Sequence, residues 1–219
     1  MEKKRFVPRY AVIPSIIVIL ANFLAYYGGN LIASGFHHYN IETPLDDALP
    51  FLEVFVVFYV LAYAQWVISY ILIAREGKEL FYKFVVADVI AKAICLIIFI
   101  AFPTTIEQQG DPGNNPFGFV TKIVYFFDEP TNLFPSIHCL ESWICFRAAL
   151  KMKKMPSWYK YFSLVFSIGV FLSTVFLKQH VVVDIPAGIL VFEIGLVIVN
   201  LTGVDKKVAR LFEPKNKKI

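Results

Sequence analysis

Apolar residues in this chain fall in long blocks, not in alternation with polar ones. Six blocks reach or approach the roughly 20 residues that a membrane-crossing helix needs. They run approximately 11–31, 54–74, 84–103, 134–150, 161–177 and 183–202. The second and fifth contain no charged residue. The fourth and fifth are short, and tilted or dipping ends accommodate that. None alternates as a barrel strand would. The pattern therefore predicts an all-α fold: a polytopic membrane protein built as a six-transmembrane-helix bundle. The first block is long, lacks a small-residue cleavage site and is followed by further blocks, so it reads as a retained span and not as a signal peptide.

Between the third and fourth blocks lies the longest polar stretch, 104–133. Its first part, Gln108 to Pro116, has turn chemistry. Its second part, Phe117 to Phe127, has apolar residues at 119, 120, 123, 124, 126 and 127, which suits a short amphipathic helix in the outer interface. Such a helix is either a lid that admits lipid or a filler of the bundle rim. No linker divides the chain and no internal repeat appears. Residues 1–219 read as one domain, with a short N-terminus (1–10) and a basic tail (203–219).

Charge orients the bundle. Of the 21 Lys and Arg, 17 fall in the N-terminal ten residues, the loops after the second and fourth blocks, and the tail. Basic residues collect on the cytoplasmic side of membrane proteins. Both termini are therefore expected inside, which an even number of spans permits. Lys122 and Lys178 are left outside, while Lys92 and Arg147 fall within spans. The outer segments carry Glu42, Asp46, Asp47, Glu53, Glu107, Asp111, Asp128 and Glu129. At 58% hydrophobic residues the composition excludes an ordinary soluble domain. The net charge of +4 reflects the cytoplasmic collar and suits anionic lipid rather than nucleic acid. The three cysteines, Cys95, Cys139 and Cys145, lie in or beside spans without metal-ligand spacing, and read as buried thiols.

This topology brings two histidine motifs to the outer face. His138 follows Pro135 and Ser136 at the outer start of the fourth span. A helix start offers unpaired N–H groups that receive anions. His180 ends the run Ser173 to His180 beyond the fifth span. Asp184, four residues later at the start of the sixth span, shares its helical face. A carboxylate under an imidazole fixes its tautomer and frees the far nitrogen to attack. The plainer reading of that pair alone is a capping pair at a membrane interface.

Pro135-Ser136-Ile137-His138 and Ser173-x6-His180-x3-Asp184 resemble the second and third motifs of the type 2 phosphatidic acid phosphatase superfamily. The run Asp128 to His138 also resembles the branch that includes inositolphosphorylceramide and sphingomyelin synthases. The likeness is good over spans three to six and looser before. It implies a six-helix bundle with an exoplasmic active site in the cell membrane. It also implies metal-independent hydrolysis of a lipid phosphate or diphosphate, with no cofactor. His180 would be the phosphorylated nucleophile and Asp184 its orienting carboxylate. His138 would protonate the leaving alkoxide and then activate water, and Ser136 would bind a phosphate oxygen. The chain departs from the pattern in two places. Thr174 stands where arginine usually follows Ser173, and no Lys-x6-Arg-Pro element occurs around 102–109. Lys178 is the replacement cation that the sequence offers. Ser173 and Thr104 are further candidate phosphate contacts.

The expected partner is a membrane lipid substrate. Two other readings remain open. One is transfer of a phospho-head group between lipids. The other is a transporter or catalytically silent membrane protein, motivated by the intramembrane charges and the missing arginines. Asp88 and Lys92 are spaced to pair on one face. Glu141, one turn beyond His138, either holds that ring or makes an unrelated bundle contact. Arg147 is expected to snorkel, and Glu193 to face the bundle with a polar partner. His37, His38, Asp46, Asp47 and Glu53 read as solvated rim residues.

Overall fold

The computed structural model describes residues 6–106, 110–128 and 130–212. Glu107, Glu129 and the terminal Lys3, Lys4, Arg5, Lys215, Lys217 and Lys218 lie outside them. The described chain is a bundle of helices with one two-residue pair of parallel strands, β1 (Tyr39–Asn40) and β2 (Thr104–Thr105). Five helical segments are long and apolar enough to cross a membrane.

The first of these, Arg9–Ala33, is composite: α1 (Arg9–Phe23), a π-helical turn over Leu24–Gly28, then α2 (Gly29–Ala33). A short helix, α3 (Pro44–Ala48), starts in a capping box. Thr43 Oγ1 donates to Asp46 Oδ2 over 2.6 Å, and the Thr43 N–H donates to the same oxygen. Next come α4 (Val56–Glu76), α5 (Lys78–Ala101), α8 (Trp158–Phe176) and α9 (Asp184–Thr202). Gly203, at φ +62° in the left-handed region that glycine adopts freely, ends α9 and turns the chain into the amphipathic α10 (Val204–Leu211). The expected interfacial helix forms as α6 (Pro116–Phe127). The Asn115 side chain caps it, and Pro116 occupies its first turn.

The fourth apolar block behaves differently from the others. It gives α7 (Ile137–Ala149), a 13-residue helix about 20 Å long. That is short of a full hydrocarbon crossing of about 30 Å. Ten of its residues are buried, leaving only Trp143, Phe146 and Arg147 partly exposed. α7 is thus the axis of the bundle, wrapped by α4, α8 and α9. Gly188 of α9 lets it approach: a Cβ there would lie 2.5 Å from Ser136 O. Ser136 caps α7 through Cys139 N, so Pro135 precedes the helix and does not occupy its first turn.

Charged pairs stitch the helices together. Lys92 lies between Asp88, 2.9 Å away, and Glu141, and the Tyr70 hydroxyl donates to Asp88 over 2.5 Å. Glu141 therefore serves a bundle contact rather than His138. Arg147 has a partner. Its guanidinium grips Glu193 of α9 in a two-pronged pair, Nε–Oε1 2.5 Å and Nη2–Oε2 3.1 Å, and Trp143 also donates to Glu193. Cys95, Cys139 and Cys145 are buried free thiols.

Candidate active site

His180 lies in the turn between α8 and α9. Its backbone N–H and that of Gln179 both donate to Thr174 O at 3.0 Å, closing the end of α8. The turn needs Lys178 at φ +52°, a left-handed conformation uncommon for a residue with a long side chain. Asp184, the first residue of α9, is buried and points back along the turn. His180 Nδ1–H faces two acceptors, Asp184 Oδ2 at 2.9 Å and Leu133 O at 3.1 Å. Two acceptors on Nδ1 favour the tautomer with its N–H there, which makes Nε2 the free nitrogen of the neutral ring in the cavity that His180 lines.

His138, in the first turn of α7, enters the same cavity. Its ring centroid is 6.0 Å from that of His180. Aromatic residues of α4 surround it. Tyr59 stacks on it at 4.2 Å, Trp66 lies at 5.3 Å, and the Tyr63 hydroxyl is 3.2 Å from Nε2. The cavity holds about 290 Å³ and is walled by α1 and the π turn, α4, α6 and the segment 127–133. A second cavity of about 340 Å³ runs on between α1 and α4, sharing Asn22, Phe23, Tyr63 and Trp66 with the first and reaching Lys92 and Glu141.

The other expected site residues are elsewhere. Lys178 turns away from the histidines and donates to Asp46 O over 2.6 Å. Asp46 is itself buried and accepts from Val182 N at 2.7 Å, so it staples α3 to the His180 turn and is not a solvated rim residue, whereas Asp47 beside it is exposed, as expected. Ser173 donates to Val170 O. The Ser136 oxygen is occupied as the cap of α7. Thr104 Oγ1 accepts from the N–H groups of Leu133 and Phe134, at 2.9 and 3.0 Å. It thereby holds the segment whose Leu133 carbonyl touches His180. None of these four lines the cavity, so the structure places them as scaffold around the histidines.

What lines it instead was not picked out from the sequence: Tyr26, Tyr59, Tyr63, Trp66 and Gln179, together with Asp128. Asp128 accepts from Tyr26 Oη at 2.7 Å and from the Tyr59 hydroxyl. Tyr59, Tyr63 and Trp66 recur at i, i+4 and i+7 on an otherwise apolar helix, which was the available signal for a shared polar-tipped face. Tyr125 of α6 donates to Leu177 O over 2.6 Å, and burial pushes its phenol up to about 12, so it stays a donor. That bond ties α6 to the His180 turn. Among the described residues no lysine or arginine lines the cavity.

Comparison of the chain with protein-family models, curated proteins and solved structures gave no match.

Proposed function

We propose that this protein is an integral-membrane lipid phosphatase working through a phosphohistidine. The observation that carries the reading is the His180–Asp184 pair at 2.9 Å, with His138 across the same cavity. His180 Nε2 attacks phosphorus, the bond from phosphorus to the lipid oxygen breaks, and His138 gives that oxygen its proton. His138 then takes a proton from water as the water oxygen replaces Nε2 on phosphorus. Asp184 offsets the positive charge that His180 develops. The lipid chains would lie in the second cavity between α1 and α4, with α7 serving as a short sixth crossing. The lysine distribution supports an outward-facing cavity.

A second reading, transfer of the phospho-group to another lipid alcohol, is favoured by the cavity wall. A monoester dianion there would meet the Asp128 carboxylate and no wall cation among the described residues. A diester carries less charge and suits that wall better.

The test is turnover of a lipid-phosphate panel by purified protein in EDTA, wild type against His180→Ala. Removing a catalytic nucleophile typically costs about a thousand-fold or more, and an acid-labile phosphoenzyme should vanish with it. Full activity in His180→Ala overturns the mechanism. A wild type with neither turnover nor phosphoenzyme supports a transporter or silent protein. Transfer product without free phosphate selects the second reading.

A further inference from the structure

His180 has a carboxylate in direct contact. His138 has none among the described residues, yet its role in the proposed chemistry needs a proton and the positive charge that comes with it. A carboxylate reaches it through Tyr59: Asp128, after the end of α6. Its two oxygens are taken by phenols from different helices: Tyr26 of the π turn at 2.7 Å, and Tyr59 of α4. The Tyr59 ring in turn lies flat on His138, centroids 4.2 Å apart and planes 28° off parallel, with its hydroxyl 3.5 Å from Nδ1. A phenol whose proton points at a carboxylate has an electron-rich oxygen and ring, and such a ring held against an imidazolium favours its charge.

We propose that Asp128 and Tyr59 form a positioning pair that holds His138 as the proton donor to the leaving group. The proposal rests on the phosphohistidine reading above. Asp128 does for His138, at one remove, what Asp184 does for His180. The π turn supports this, because π turns are rare and collect at functional sites. Here one places the Tyr26 hydroxyl on the Asp128 oxygen that Tyr59 does not use, and so fixes that carboxylate. The other titratable groups facing His138 are the Tyr63 hydroxyl on Nε2, which leaves the leaving-group side polar, and the ring of His180, and Trp66 adds an uncharged ring. Glu141, on the same helix, is engaged by Lys92.

The pair acts on proton donation alone, so its loss should depend on how much the leaving group needs a proton. The experiment compares a dialkyl lipid phosphate, whose alkoxide must be protonated, with a p-nitrophenyl lipid phosphate, whose phenolate leaves unaided. Variants are Tyr59→Phe, which keeps the stacked ring, Asp128→Asn and Asp128→Glu. The alkyl ester should be turned over at least ten-fold more slowly by Tyr59→Phe and Asp128→Asn. The alkaline limb of their pH profiles should move down by about one unit, the scale on which a nearby carboxylate acts. The burst of p-nitrophenol should fall several-fold less than turnover of the alkyl ester, and Asp128→Glu should restore most of the alkyl activity. Equal losses on both esters, or no loss on either, overturn the pairing. If Asp128→Asn does not fold, Tyr59→Phe decides alone. A wild type that forms no phosphohistidine from either ester sinks the underlying reading instead, which is a different result.

Discussion

Lys178 shows how local geometry can divert an obvious side chain. By sequence it is the only cation within reach of His180. In the fold its left-handed backbone and the carbonyl of Asp46, 132 residues away, take its ammonium out of the cavity. Lys178→Ala should therefore act on stability. A hydrogen bond from a charged donor contributes about 1.5–3 kcal/mol, and denaturant unfolding in detergent should show a loss of that order with KM unchanged. A large rise in KM without loss of stability would return Lys178 to the phosphate. The same contrast explains what could be read from sequence at this scale. His180 and Asp184 were legible because their contact is local, only four residues apart, although His180 sits in the turn before α9 and not on the shared helical face expected of it. Tyr59 and Asp128 were not linked, because 69 residues separate them and no periodicity connects a span to a loop.

At the scale of elements, the long helices were legible because uninterrupted apolar runs leave the backbone no other way to satisfy its hydrogen bonds in lipid. α6 was legible from its one-sided spacing. The length of α7 was not: its apolar residues continue into the turns at either end, and only the Ser136 cap marks where the helix begins. The position of α7 depends on Gly188. A methyl added there would press on Ser136 O and on Leu140 N, 3.1 Å away. Overpacking of this kind costs about 1–3 kcal/mol, and here it pushes on the turn that carries His138. Gly188→Ala should lower both the melting temperature and kcat. Gly35→Ala, where an added methyl meets nothing within 4 Å, should change neither. A Gly188→Ala protein as stable and active as wild type would mean that α7 is free to shift.

For the whole molecule, the lysine asymmetry predicts which side each loop faces. The three natural cysteines are buried, so single-cysteine variants can be labelled selectively. Lys122→Cys, on α6, should react with an impermeant maleimide in intact cells, and Lys154→Cys only after the membrane is opened. The reverse pattern would place the histidine cavity on the cytoplasmic side. The walls of that cavity come from helices far apart in sequence, so its aromatic lining and its lack of lysine and arginine among the described residues follow from assembly rather than from any single segment.

The buried position of α7 also has a consequence for how the chain is made. Synthesis runs from the N-terminus, so α5 is in place when α7 emerges, and Lys92 can give Glu141 its counter-charge at once. Arg147 has no such partner waiting. Its carboxylate, Glu193, arrives with the last long helix. A nascent chain that stops short of residue 193 therefore lacks the carboxylate that Arg147 grips in the finished bundle, and the α7–α9 ion pair can form only once α9 has been made.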